Sequence, residues 1–265
     1  MKTVKSDMSE VLLNVENIAI SFGGLVAISD LSFNVHKGEI VSLIGPNGAG
    51  KTTAFNIITG FLKPNSGSIT YRDKSLTGLA AHQVAKYGVV RTFQKTSVFD
   101  GNTVIENIMM GLHLNGRCKV WEVLLGLPRV SIENTRLEER ALEILDLVGL
   151  SNRASDMASD LAYGELRLLE VAIALAAEPA LLLLDEPASG MNPSETASFM
   201  KTVSKIRDEG TTILLVEHDM RMVMGISDRV VVLNQGEIIA SGTPKEIQNN
   251  PKVIHAYLGY GDEDA

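Results

Sequence analysis

The chain is poor in several things, and each shortage excludes something. It carries one cysteine, Cys118, in 265 residues, so no intrachain disulfide can form. That suits a reducing compartment. Nothing around Cys118 suggests an activated thiolate, and it reads as a small buried residue. Basic residues are outnumbered by acidic ones, 24 to 32, for a net charge of -8. A nucleic-acid binder usually shows the opposite balance, so no nucleic-acid partner is expected. The first residues, "MKTVKSDMSE", lack the apolar centre of a secretory signal. The most apolar run, "ALLLL" at 180–184, is far too short to cross a bilayer. Any membrane link must come through a partner. Internal repeats and low-complexity segments are missing too.

What is present is an α/β pattern. "VLLNVENIAI" (11–20) and "LSFNV" (31–35) alternate as antiparallel strands do. "EIVSLIG" (39–45) reads as a buried strand entering a Gly-rich loop, and a helix follows through "KTTAFNIIT". "GSITY" (67–71) and "GVVRTF" (88–93) read as further strands. From about 103 to 160 the spacing turns helical, opening on a Thr cap at "TVIENIMMGLHL". Beyond 164 the alternation returns: a helix, the strand "ALLLLDE", a helix from Pro193, the strand "TTILLVEH", a short helix and the hairpin-like "RVVVLNQGEIIASG". Continuous apolar strands between helices imply a mostly parallel sheet covered on both faces. The expected fold is an α/β domain with a mostly parallel core sheet, an antiparallel β subdomain and an α-helical lobe, and the G-x-x-x-x-G-K-[ST] stretch "GPNGAGKT" between strand and helix makes it a P-loop NTPase. Residues 1–94 and 165–265 would form the nucleotide-binding core, and 95–164 the helical lobe. The acidic tail "GDEDA" is expected to be disordered.

"GPNGAGKT" (45–52) fits G-x-x-x-x-G-K-[ST] at each fixed position, after a strand and before a helix. Gly45, Gly48 and Gly50 let the backbone turn its N–H groups toward phosphate oxygens. The helix N-terminus adds positive potential. Lys51 adds a full charge, and the Thr52 hydroxyl is placed to ligate Mg²⁺. The bland alternative is a glycine turn with a capping Thr. "LLLLDEP" (181–187) is an apolar strand ending in two acids, and strand ends of open α/β sheets are where ligands bind. Asp185 would reach Mg²⁺ through a water, and Glu186 would polarise the attacking water. "LLVEHD" (214–219) repeats the arrangement with His218, whose neutral imidazole could hold the γ-phosphate or the water. Gln94, closing "RTFQ", can ligate Mg²⁺ or orient water. Taken singly, the His is an ordinary strand-end residue and the Gln an ordinary loop residue.

Jointly, "GPNGAGKTT", "RTFQ", "LAYGE", "LLLLDEP" and "VEHD" resemble, in order and spacing, the ATP-binding subunits of ABC transporters. The likeness covers nearly the whole chain. It implies that ATP and Mg²⁺ are the cofactors and that Asn47, Ala49 and Thr53 join the phosphate loop's contacts. Phe22 looks like the aromatic that stacks on adenine, with Val26 beside it, although both could equally be core. "LAYGE", comprising Leu161, Ala162, Tyr163, Gly164 and Glu165, resembles the signature motif usually written LSGGQ. In that family it meets the nucleotide held by the other subunit of a head-to-tail dimer. "SGMN" (189–192) resembles the loop that crosses the dimer interface, with Asn192 where Asp is common. The dimer partner would be this chain itself or a related ATPase subunit.

The "FGGLVAISDLSF" opening, "DEPASGMNPSET", the long segment before the signature and the ending "AYLG" are similar to the branched-chain amino acid importer branch. That likeness implies integral-membrane permease subunits and, indirectly, a solute-binding protein as partners. It also implies a peripheral place on the cytoplasmic side of the cell membrane. Importers of urea or other small amides, a lipopolysaccharide exporter and a soluble non-transport ABC ATPase are the alternatives. Ala162 departs from the usual Ser, which removes a hydroxyl and shifts the expected contact to backbone N–H groups around Ala162 and Gly164. Leu166, Leu168 and Ile173 make the helix that follows apolar nearly all round, which implies extensive burial.

Overall fold

A computed structural model of the chain describes residues 10–92, 98–113 and 128–258. Gln94, Cys118 and the acidic tail lie outside the described residues. The chain divides into two compact units.

The first unit comprises 1–91, 180–187 and 207–265, and holds one ten-stranded sheet. Its strands are β1 (Val11–Phe22), β2 (Leu25–His36), β3 (Ile40–Ile44), β4 (Ser66–Tyr71), β5 (Lys74–Ser75), β6 (Val89–Arg91), β7 (Leu181–Asp185), β8 (Thr212–Val216), β9 (Arg229–Asn234) and β10 (Glu237–Gly242). Their order across the sheet is β5-β4-β1-β2-β10-β9-β3-β8-β7-β6. Strands β9, β3, β8, β7 and β6 run parallel to one another. The pairs β1–β2, β1–β4 and β4–β5 are antiparallel. The parallel core and the antiparallel part expected from the sequence are thus both present in one continuous sheet.

Each of the three inner strands of the parallel set, β3, β7 and β8, is buried along its whole length. "IVSLI", "LLLLD" and "TILLV" can be that apolar because both faces are covered. On β1 and β2 buried and exposed positions interleave, as one-sided strands require. The parallel register sets the site. Leu43 pairs with Val216, and Val216 with Asp185, so the three stand in one row across neighbouring strands. Gly45, Glu186 and His218 follow one or two residues further on, at the same carboxyl edge.

Helix α1 (Lys51–Ile58) leaves β3 through the Gly-rich loop and buries Ala54, Phe55, Ile57 and Ile58. Three short helices were not expected from periodicity: α2 (Ala81–Lys86), α8 (Pro244–Gln248) and α9 (Pro251–Leu258). Each is eight residues or fewer, too short for an apolar stripe to repeat. Yet α8 has a readable start. Thr243 accepts from the Glu246 N–H at 3.4 Å, and the Glu246 carboxylate accepts from the Thr243 N–H at 2.8 Å. That is a capping box with Pro at the first helical position. Helix α7 (Met220–Ile226) is capped by the Asp219 carboxylate.

The second unit comprises 92–179 and 188–206. It holds α3 (Val104–His113), α4 (Pro128–Val148), α5 (Tyr163–Leu175) and most of α6 (Pro193–Asp208). Thr103 and Glu106 cap α3 reciprocally, at 3.3 and 2.8 Å. The unit is larger than the lobe expected over 95–164, because α5 and α6 belong to it. The reason is packing. Val104, Ile108 and Leu112 of α3 and Ala141, Ile144, Leu145 and Val148 of α4 are buried, as are Leu169, Ala172 and Leu175 of α5. Helix α3 approaches α5 so closely that a Cβ on Gly111 would lie 2.9 Å from the Ala176 Cβ. Leu166, Leu168 and Ile173 are all at least half-buried, as the apolar reading of this helix implied.

Candidate functional site

The phosphate loop is built from backbone. Gly45, Gly48 and Gly50 have φ of +155, +80 and +107°, conformations that L side chains rarely adopt. Gly50 caps α1 with no side-chain hydrogen bond, so the first N–H groups of the helix stay open. The loop is braced from behind. The Gly236 N–H donates to the Ala49 carbonyl at 3.0 Å, and the Ala49 N–H to the Pro46 carbonyl at 3.2 Å.

Lys51 is buried, and its Nζ donates to the carbonyls of Gly45 and Pro46 at 2.7 and 3.0 Å. Burial pushes its ammonium below the ordinary lysine range, and the Glu186 and Asp185 carboxylates partly offset this. A cavity of about 400 Å³ opens over the loop, lined by Asn47, Gly48, Ala49, Gly50, Lys51, Thr52 and Thr53. Phe22, Leu25, Val26, Ala27 and Glu186 complete it. Phe22, Leu25 and Val26 are 48, 69 and 59% exposed, where residues of this kind are normally buried. They form an apolar rim at the turn of the β1–β2 hairpin. Sequence reading named Phe22 and Val26. It missed Leu25 and Ala27, which face the same space because the hairpin pairs Phe22 with Leu25.

Glu186 lies 134 residues beyond Thr52 in the chain yet lines the same cavity. Its φ is +47°, and its N–H donates to the Val216 carbonyl at 2.8 Å. A non-glycine in this region is strained by roughly 1–3 kcal/mol and persists where its surroundings hold it. Asp185, one residue earlier, is buried under the site. One of its carboxylate oxygens, Oδ2, accepts from the Arg91 guanidinium, and Oδ1 is buried with no hydrogen-bond partner. A bare buried carboxylate oxygen on Asp185 and an exposed hydroxyl on Thr52 are the kinds of oxygen donor Mg²⁺ takes. That ion keeps several waters and needs one or two carboxylates besides phosphate oxygens.

His218 is placed differently. It ends the β8 edge with its side chain 61% exposed and does not line the cavity. Its N–H and that of Asp219 donate to the buried Glu217 carboxylate at 3.0 and 3.4 Å. Gln94 lies outside the described residues.

In the second unit the LAYGE residues open α5. Leu161 is buried, Ala162 is the N-cap, and Tyr163 is 45% exposed. Alanine offers no acceptor, so only half of a capping box forms. The Glu165 carboxylate accepts from the Ala162 N–H at 3.0 Å and from Arg153 Nε at 3.1 Å. The Ala162 amide is therefore engaged, and the open donors of this helix start are those of the residues after it. Tyr163 reaches the SGMN loop. Its hydroxyl donates to the Ser189 carbonyl at 2.8 Å, accepts from Arg167, and its ring packs on Gly190. Gly164 faces the Glu195 carboxylate, which a Cβ would approach to 3.3 Å. Asn192 caps α6. Its Oδ1 accepts from the Ser194 and Glu195 N–H groups at 2.9 and 3.0 Å, and its own N–H donates to Glu195 at 2.9 Å. Signature and loop are thus tied to each other by Tyr163, a link no spacing rule would show.

Residues 28–189 match the family model described as ABC transporter, and residues 237–263 one described as branched-chain amino acid ATP-binding cassette transporter. The chain is 49% identical over 253 residues to the high-affinity branched-chain amino acid transport ATP-binding protein LivG of Salmonella typhimurium, covering 95% of this chain and 99% of that one. It is 43% identical to the corresponding protein BraF of Pseudomonas aeruginosa, again over 95 and 99%. Among solved structures it resembles the ADP conformation of an ATP-binding cassette of an ABC transporter, with a TM-score of 0.81 and 31% identity over 94% of this chain and 99% of the other. Phosphate loop, acidic strand end and these likenesses agree, and the chain belongs to the ABC transporter ATP-binding proteins, in their branched-chain amino acid branch.

Proposed function

We propose that this chain is the ATP-hydrolysing subunit of an importer that takes up branched-chain amino acids. The observation that carries the reading is the single cavity shared by the phosphate loop and Glu186. The adenine lies on the Phe22–Leu25–Val26 rim, and the loop amides and the α1 N-terminus hold the phosphates. Lys51 neutralises the β- and γ-phosphate oxygens. Thr52 and Asp185 would hold Mg²⁺, with Gln94 as a further ligand, and the bound ion would neutralise charge on the same phosphates. Glu186 takes the proton of the water that attacks the γ-phosphorus, and the bond from that phosphorus to the ADP oxygen breaks. His218 and Gln94 orient the water and the γ-phosphate once the site is loaded.

Leu161, Ala162, Tyr163, Gly164, Glu165 and Asn192 serve the nucleotide of a second ATPase subunit, so the working unit is a head-to-tail dimer. Permease subunits in the membrane carry the solute, and a solute-binding protein delivers it. The chain then works at the cytoplasmic face of the membrane. No helix among the described residues is long and apolar enough to cross it. The relatives named above are transport ATP-binding proteins for branched-chain amino acids, which supports that substrate class.

Ala162→Ser supplies the missing acceptor of the α5 capping box. It is expected to stabilise the chain by about 1 kcal/mol in thermal unfolding. ATPase activity should change only modestly, because backbone amides carry the contact. A large gain in turnover would mean that Ala162 had crippled the site. For the whole assignment the test is affinity purification of the tagged chain from detergent-solubilised membranes. Two permease subunits and a second ATPase subunit should copurify. Recovery of the chain alone would count against a transport role.

A further inference from the structure

The geometry points to Arg91 as the positioning residue for the Asp185 carboxylate. The inference rests on the assignment of Asp185 to Mg²⁺ made above. Arg91 ends β6, with its side chain 10% exposed, and the Asp185 side chain is fully buried. The guanidinium is held on three sides. One Nη donates to Asp185 Oδ2, and the other donates to Asn56 Oδ1 at 2.7 Å. The Phe55 ring centroid is 5.6 Å from the guanidinium carbon. A planar, always charged fork fixed at these points has little freedom to rotate.

The consequence falls on Asp185. A buried carboxylate needs a counter-charge, and Arg91 supplies it through one oxygen only. Oδ1 is left buried and without a partner. An unsatisfied buried acceptor costs free energy that a cation or its water would recover. Arg91 thereby sets the plane of the carboxylate and leaves one oxygen unclaimed by any protein donor. Asn56 lies on α1, the helix that begins with Lys51 and Thr52. The guanidinium thus ties the helix bearing the phosphate and metal contacts to the strand bearing the acid. Residues that orient a metal ligand in this way typically change metal affinity 10–100-fold when removed.

The test is equilibrium binding of a fluorescent ATP analogue to the full chain, across a Mg²⁺ series and in EDTA. Arg91→Met should raise the half-saturating Mg²⁺ about tenfold while leaving the EDTA affinity at the parental value. Arg91→Lys should recover part of the shift, since it restores charge without the fork. Asn56→Leu should shift Mg²⁺ dependence in the same direction by less, and decides the matter if Arg91→Met does not fold. An unchanged Mg²⁺ requirement in these variants overturns the proposal and leaves a purely structural ion pair. A lowered requirement overturns it too, because Arg91 would then be a cation competing with the metal. Asp185→Asn separates the two levels. If it also leaves Mg²⁺ dependence unchanged, the metal assignment itself fails. If it alone raises the requirement, only the role of Arg91 fails.

Discussion

Glu186→Gln is expected to bind ATP with parental affinity and to hydrolyse it roughly 10²–10⁴-fold more slowly, the usual contribution of a positioned general base. The amide has nearly the volume of the carboxylate, so the cavity keeps its shape. What it loses is the ability to take a proton. Among the described residues Glu186 is the one carboxylate that lines the cavity, while Asp185 is buried with one oxygen committed to Arg91. Phosphate release at saturating MgATP, beside equilibrium ATP binding, measures both halves. Turnover at the parental rate would remove Glu186 from the catalytic role and leave the chemistry to His218 or Gln94.

Gly45→Ala should be the most disruptive single methyl in the phosphate loop. A Cβ there would lie 2.0 Å from the Leu233 carbonyl oxygen and 3.1 Å from the Ala49 Cβ. Leu233 is fully buried on β9, paired with Ile238 across the hairpin, and cannot yield without breaking the ladder. Overpacking of this kind costs on the order of 3 kcal/mol. Gly48→Ala is the control. It has no heavy atom within 4 Å of its Cβ, and only its φ of +80° opposes the change. That costs about 1–2 kcal/mol. Thermal unfolding of the two variants should therefore show the larger loss for Gly45→Ala. Equal losses would mean that the loop gives way around residue 45 and that β9 does not brace it.

Much of this was legible in the sequence because the decisive signals are local. "GPNGAGKTT" carries its own turn and helix start and directly follows an apolar strand. The fully apolar β3, β7 and β8 announce a two-sided sheet, and the row of Leu43, Val216 and Asp185 follows from parallel pairing. What stayed hidden depends on distant partners. Arg91 looked like one residue of "RTFQ", since nothing local says that its guanidinium meets Asp185 and Asn56. Tyr163 looked like a plain departure from the signature, whereas its hydroxyl holds the Ser189 carbonyl. Asn192 stands in the interface-like loop, and nothing local says that its Oδ1 also caps α6. The lobe boundary moved for a similar reason. The sequence pattern changes at 164, but α5 buries its apolar side in the helical unit, and packing rather than periodicity sets the division.

Uptake in proteoliposomes tests the central claim most directly. The complex copurified with this chain would be reconstituted, with the solute-binding protein and labelled leucine on one side and MgATP at the ATPase subunits. Leucine should accumulate against its gradient only with ATP, and Glu186→Gln should abolish accumulation while the complex still binds nucleotide. ATP-driven uptake of urea or another small amide with none of leucine, or leucine uptake undiminished by Glu186→Gln, would contradict it.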